Sequence, residues 1–134
     1  MENRQELLLE ILKRMQKNYM HITEIERLTK EMGDALSRND QESVQLLLQM
    51  RQEEMDQADV ARNEMRMITE VLSPEDRSEV EALFTEENVR TEDFESTKIV
   101  ELSRQIMRVR ERVIAIDQTI SSKLAGKESY YQSR

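Results

Sequence analysis

The chain has 134 residues, of which 28 are acidic and 20 basic, so its formal net charge is −8. It contains 2 glycines, 1 proline, 1 histidine and no cysteine, which excludes a disulfide framework, a thiol nucleophile and a cysteine–zinc site. Such an acidic chain is a poor partner for nucleic acid, and its shortage of turn residues argues against an all-β fold. We therefore expect an all-α domain.

The distribution of apolar residues argues against contact with a membrane interior. No window approaches the ~20 consecutive apolar residues of a membrane span. The first six residues carry both charges and precede no apolar run, so we expect no signal peptide. Together with the lack of cysteine, this favours a cytoplasmic protein with no membrane insertion.

The first predicted helix covers residues 3–37. Its apolar residues recur at steps of three and four, which places them on one stripe. They are Leu8, Ile11, Leu12, Met15, Tyr19, Ile22, Ile25, Leu28, Met32, Ala35 and Leu36. At ~1.5 Å per residue this helix is about 50 Å long, which favours an elongated antiparallel bundle over a compact globule.

A break near residue 38 precedes the second predicted helix, 40–72. Asn39 and Glu42 have the spacing of a capping box, and Asp40 is the alternative cap. Arg51 interrupts the apolar stripe of this helix, although its long stem can still cover apolar surface. The short connection predicts that the first two helices are antiparallel neighbours.

A third, short helix is predicted for residues 74–86. Ser73 precedes Pro74, and two acidic residues follow in the first turn, which is the usual signal for a helix start. Val80, Leu83 and Phe84 are expected to face inward.

The last predicted helix covers residues 95–125. Alternating steps of three and four residues connect eight apolar side chains, the pattern of a coiled-coil seam. These are Ile99, Leu102, Ile106, Val109, Val113, Ile116, Ile120 and Leu124. Gly126 is expected to end the helix. Residues 1–125 would then form a single bundle of three long helices and one short helix, followed by a flexible polar tail, 126–134.

One edge of the last helix is basic. Arg104, Arg108 and Arg112 follow at steps of four, so they lie on the same side. They form either a solvated helix face or a contact with an acidic partner.

The residues needed for catalysis or for metal binding are missing. His21 is the only group suited to acid–base chemistry near neutral pH, and no second catalytic group is evident beside it. The acidic residues lack the spacing of a calcium-binding loop. We predict no enzyme activity, no metal site and no cofactor.

Nine methionines are many for a chain of this length. Methionine is flexible, so it can fill a core or form a surface that adapts to partners. Met20, Met50, Met67 and Met107 fall near or beyond the edges of the apolar stripes.

Several features together resemble the flagellar export chaperones of the FlgN family. They are a long first helix, the turn Arg38-Asn39-Asp40-Gln41-Glu42, and a second helix with Val44, Leu47 and Leu48. The resemblance covers roughly residues 5–125. The segment 116–124 lacks the asparagines and the leucine pair often seen in that family, and the FliT-type chaperones of the filament cap are the nearest alternative.

The resemblance implies a cytoplasmic chaperone that holds hook–filament junction proteins before export by the flagellar type III apparatus. An amphipathic helix of the client would bind to the last helix. The partner-binding residues implied are Ile106, Val109, Val113, Ile116, Ile120, Leu124 and Tyr130.

A different interpretation needs no client. The same apolar seam could be buried within the monomer or by a second copy, which would make the protein a structural coiled coil or a homodimer. Whether residues 96–131 are exposed or covered distinguishes these possibilities.

Overall fold

The regular structure of the protein is helical throughout the part of the chain that can be described. The computed structural model describes residues 3–85 and 88–132, and side chains from 4 to 85 and from 88 to 124. Within these ranges the elements are α1 (Asn3–Ser37), α2 (Gln41–Glu70), α3 (Pro74–Thr85) and α4 (Phe94–Gln132). The prediction of an all-α fold is confirmed.

The last helix is longer than the sequence predicts. Helix α4 continues through Gly126 to Gln132, so the prediction that it ends at Gly126 is wrong. An interior glycine costs only about 1 kcal/mol relative to alanine, and Lys127 and Glu128 are good helix formers. The side chains of 125–132, including Tyr130, and all of residues 133–134 lie outside the described part, so the flexible tail remains a prediction.

The turn between α1 and α2 is a Schellman motif followed by an aspartate cap. Asn39 has a positive φ of 57°, and the amides of Asn39 and Asp40 donate to the carbonyls of Leu36 and Ala35 at 3.1 and 2.9 Å. Asp40 then caps α2 by accepting a hydrogen bond from the Ser43 amide at 3.1 Å. Of the two predicted caps, Asp40 is therefore the one used.

Side-chain caps also begin α3 and α4. Ser73 Oγ accepts from the Asp76 amide at 3.2 Å, as the sequence predicts. Asp93 Oδ2 accepts from the Ser96 amide at 3.2 Å. Burial raises the pKa of Asp93, but the hydrogen bonds that its carboxylate accepts and the charge of Arg4 together leave the pKa below the usual value.

The contacts between helices fit a square arrangement with one helix at each corner. Helix α1 packs against α2 and α4, and α3 packs against α4 and, over a shorter stretch, α2. Neither diagonal pair, α1 with α3 or α2 with α4, packs along its length. Going round the square, the order is α2, α1, α4, α3, which is the arrangement of a four-helix bundle.

The directions of the helices follow from their contacts. Helix α2 runs antiparallel to α1 because a short turn joins them. Arg112 binds Glu26 and Ile120 lies against Gly33, so residue numbers rise in the same direction along α4 and α1. Helix α4 is therefore parallel to α1 and antiparallel to α2.

Helix α3 fills only one end of its corner. Its 12 residues span about 18 Å, whereas the 30 residues of α2 span about 45 Å. Arg4, near the start of α1, forms ion pairs with Asp76 and Glu79 of α3. Val80 and Leu83 are buried in the large core cluster. Because α3 is much shorter than α2, the rest of this corner lies beyond the end of α3.

The core consists of two clusters. The larger one takes buried residues from α1, α3 and α4 and Leu72 from the turn after α2, with Met65 and Ile68 of α2 partly buried against it, and the smaller one lies beside the α1–α2 turn. The large cluster contains Leu8, Ile11, Leu12, Met15, Ile22, Ile25, Leu72, Val80, Leu83, Ile99, Val100, Ile106, Val109 and Val113. The small one contains Leu28, Met32, Ala35, Val44 and Leu47.

Replacing Gly33 with alanine is expected to stabilise the protein by about 0.5–1 kcal/mol, because an interior helical glycine has a high conformational entropy when unfolded. A Cβ at this position would lie 3.7 Å from Ile120 Cδ1 and Cγ1, an ordinary van der Waals contact. Urea unfolding of Gly33→Ala measures the change. A loss of stability would show that the α1–α4 contact has no room for a methyl group.

Candidate partner-binding groove

The unfilled part of the fourth corner is a groove, here called the open corner. Its floor is α1 and its walls are α2 and α4. The floor consists of Met15, Asn18, Ile22 and Ile25, and the principal wall residues are Met55, Ala58, Arg62 and Met65 of α2 and Ile106, Met107, Arg110, Val113 and Ile114 of α4. Two adjoining cavities of about 300 and 250 Å³ make up the groove.

Both ends of the open corner are defined. Phe84 of α3 lines one end. At the other end, Arg51 reaches across from α2 and donates two parallel hydrogen bonds to Asp117 of α4, each 2.8 Å long. The paired guanidinium of Arg51 thus joins the two walls.

The groove is long enough for a short helix. The floor from Met15 to Ile25 is ten residue steps long, about 15 Å, or nearly three helical turns. Met107 and Ile114 on the α4 wall are 53% and 51% exposed. Methionines and aliphatic side chains left on a rim of this kind are typical of surfaces that receive an apolar partner.

The floor contains one buried polar group without a partner. Asn18 is only 5% exposed and lines both cavities. No hydrogen-bond donor among the described residues reaches its Oδ1 atom. Buried acceptors are nearly always satisfied in folded proteins, so this oxygen marks a place where an occupant could donate.

Two arginines face the middle of the groove from opposite walls. Arg62 and Arg110 both line both cavities, as Asn18 does, so the three lie at the same level. Arg62 pairs with Asp59 on its own helix. Within the described part of the chain, Arg110 has no ion pair or hydrogen bond.

The predicted partner-binding seam of α4 is mostly covered by the protein itself. Ile106, Val109 and Val113 belong to the large core cluster, and Ile120 is buried against Gly33 of α1. Ile116 is half-buried and Leu124 is exposed, while the side chain of Tyr130 lies outside the described residues. A partner that covered the whole seam would therefore have to displace α1.

The three arginines of the predicted basic edge have different surroundings. Arg104 and Arg108 are exposed. Arg112 binds Glu26 of α1, with Nε donating to Oε2 at 2.6 Å and Nη2 to Oε1 at 3.2 Å. These hydrogen bonds lower the pKa of Glu26 below its usual value, since they favour the charged carboxylate.

Glu26 is expected to make the protein less stable in acid. Its folded-state pKa lies below the unfolded value of about 4.3, so its contribution is present above that pH and is lost as the pH falls through the folded value. At pH 7, Glu26→Gln should lower the free energy of unfolding by about 1 kcal/mol, because exposed Arg112 is screened by solvent.

Urea unfolding of both proteins from pH 7 down to pH 3 tests this prediction. The difference between wild type and Glu26→Gln should shrink as the pH drops. A difference that stays constant would mean that the cost of the variant comes from packing and not from the charge.

His21 lies away from the open corner. Its Nδ1 atom is 2.6 Å from Glu54 Oε2, which links α1 to α2, and both side chains are partly exposed. Asn18, Arg62 and Arg110 form the polar part of the groove, and sequence reasoning singled out none of the three.

Comparisons of the chain with protein-family models, curated proteins and solved structures found no match. None of the helices, over the residues described, is long and apolar enough to cross a membrane. The observations that bear on function are therefore the square arrangement of helices and the groove it contains.

Proposed function

We propose that this protein binds an amphipathic helix of another protein in the open corner. The observation that carries the proposal is the incomplete fourth corner, in which α3 stops after 12 residues and an apolar groove continues beyond it. A helix placed there would pack against both walls and the floor, as the fourth member of a bundle does.

We further propose that the partner is a secretion client and the protein its cytoplasmic chaperone. The support is the resemblance of the Arg38–Glu42 turn and of the helix layout, an elongated bundle with three long helices and one short one, to the FlgN-type chaperones. On this proposal the clients are hook–filament junction proteins, and a bound client helix is kept from assembling before export. Ile106 and Val113 of the predicted seam also line the groove.

Methionine methyl groups offer a direct test. The full-length protein, with ¹³C-labelled methionine methyls, is titrated with a peptide from a terminal helical segment of a hook–filament junction protein. Met55, Met65 and Met107 line the open corner, so their signals should shift. Met20 and Met67 are exposed elsewhere and serve as internal controls. Shifts confined to the controls, or no shifts, would contradict the proposal.

Self-association is the second candidate function. One face of α2, away from the groove, carries exposed Leu46, Met50, Val60 and Met67, and exposed Val71 follows directly after the helix. This spacing is suited to a helix–helix contact between two copies. The same labelled protein distinguishes the candidates, because a dimer through this face would shift Met50 and Met67 with protein concentration and without any peptide.

A further inference from the structure

We infer that the helix received by the open corner carries acidic residues beside its apolar stripe and a hydroxyl-bearing residue within it. This inference rests on the proposed function and adds the chemistry of the partner. It draws on Arg62, Arg110 and Asn18, which lie at one level of the groove.

The charges of the groove oppose the charge of the whole chain. Five charged residues line the two cavities, namely Arg51, Arg62, Arg110, Asp59 and Asp117. Arg51 neutralises Asp117 and Arg62 pairs with Asp59, which leaves Arg110 uncompensated. The groove is therefore locally positive in a chain of net charge −8.

The two walls place this charge where the flanks of a bound helix would lie. Arg62 comes from α2 and Arg110 from α4, so they stand on either side of the floor. Guanidinium groups bind carboxylates through two hydrogen bonds in a fixed geometry. A helix with glutamate or aspartate on the flanks of its apolar stripe could pair with both walls, whereas one with lysine flanks would meet like charge.

Asn18 also affects which residues are favoured in the apolar stripe of the bound helix. It lines both cavities together with the two arginines, and its Oδ1 has no partner among the described residues. A uniformly apolar stripe would leave this acceptor unsatisfied, and a serine or threonine hydroxyl at that level could donate to it. The floor thus favours one small polar residue in the stripe over a continuous run of leucines.

Designed peptides test the inference on the full-length protein. Fluorescein-labelled 18-residue amphipathic peptides share one leucine stripe and differ only in glutamate or lysine flanks, and binding is read by fluorescence anisotropy. We expect the glutamate peptide to bind about tenfold more tightly. Non-specific attraction to a chain of net charge −8 would favour the lysine peptide, so a glutamate preference reports the local arginines.

Charge-reversal variants show where the preference arises. Arg62→Glu/Arg110→Glu should reverse the order of the two peptides. Arg66→Glu/Arg108→Glu makes the same change in net charge on the same two helices outside the groove, and it should keep the order. A serine placed in the stripe should tighten binding to the wild type and not to Asn18→Leu.

The outcomes separate the inference from the proposed function. If the lysine peptide binds as tightly as the glutamate peptide, or serine brings no gain, and Met107→Gln/Ile114→Gln weakens binding about thirtyfold, the inference is wrong and the proposed function stands. If neither peptide binds at about 1 mM, or Met107→Gln/Ile114→Gln binds as tightly as the wild type, the open corner is not a helix site and both are wrong.

Discussion

The double variant Met107→Gln/Ile114→Gln is expected to bind a client helix about thirtyfold more weakly than the wild type. Each side chain is about half exposed on the rim of the open corner. Covering the remaining half should contribute about 1 kcal/mol per residue, and a total of about 2 kcal/mol corresponds to a thirtyfold change in Kd. Anisotropy titration with the junction-protein peptide measures the change.

A matched variant tests whether the loss of binding comes merely from replacing two exposed apolar residues with glutamine. Val60→Gln/Met67→Gln also replaces two exposed apolar residues, at 52% and 56% exposure, on the face of α2 away from the groove. It should bind the peptide as the wild type does, and the two variants should have Tm values within about 2–3 °C of each other. Equal loss of binding in the two variants would place the contact outside the open corner.

Replacing Ile99 with alanine is expected to lower the free energy of unfolding by about 2–5 kcal/mol. Ile99 has no exposed surface and packs in the large cluster beside Leu8, Val80 and Leu83. The substitution loses the burial of three carbon atoms and leaves a cavity that neighbours fill only partly. This is a large fraction of the 5–15 kcal/mol typical of a domain, and urea unfolding measures it.

The same substitution at Ile114 is the control, since it lies on the same helix and is half exposed. Ile114→Ala should lower the free energy of unfolding by about 1 kcal/mol or less, because only half of this side chain is buried. Similar losses at both positions would mean that the rim of the open corner is covered in the free protein, and would contradict the groove itself.

Local signals in the sequence accounted for the helices. Asp40 and Ser73 cap α2 and α3 as residues of their type usually do, and the steps of three and four found the buried faces. The end of α4 was missed because Gly126 has only a small preference for ending a helix. When the preference of one residue for ending a helix is this small, the helix-forming preference of its neighbours decides whether the helix continues.

Pairing between distant helices could not be predicted from periodicity. The seam of α4 has the pattern of a partner surface, yet Val109 and Val113 pack in the protein's own core, because a stripe does not specify what covers it. Likewise, nothing local to Arg51 indicates that it binds Asp117, 66 positions along the chain. The burial of the seam and the Arg51–Asp117 pair both depend on which helices are neighbours in the folded bundle.

One signal of the groove was present in the sequence. Asn18 lies at a stripe position of α1, three residues after Met15 and four before Ile22, where an apolar residue is expected. A polar residue within an apolar stripe indicates either an internal hydrogen bond or a site for a ligand. The choice between them required the structure, in which the acceptor has no donor.

The sparse contact between α2 and α4 has a mechanical consequence. Each of these helices is held by α1, and among the described residues the Arg51–Asp117 pair is the polar link that joins them directly. We therefore expect the width of the gap between the two walls to vary more readily than the spacing of either wall from α1. On the proposed function, such a clamp would accept helices with small or with bulky side chains.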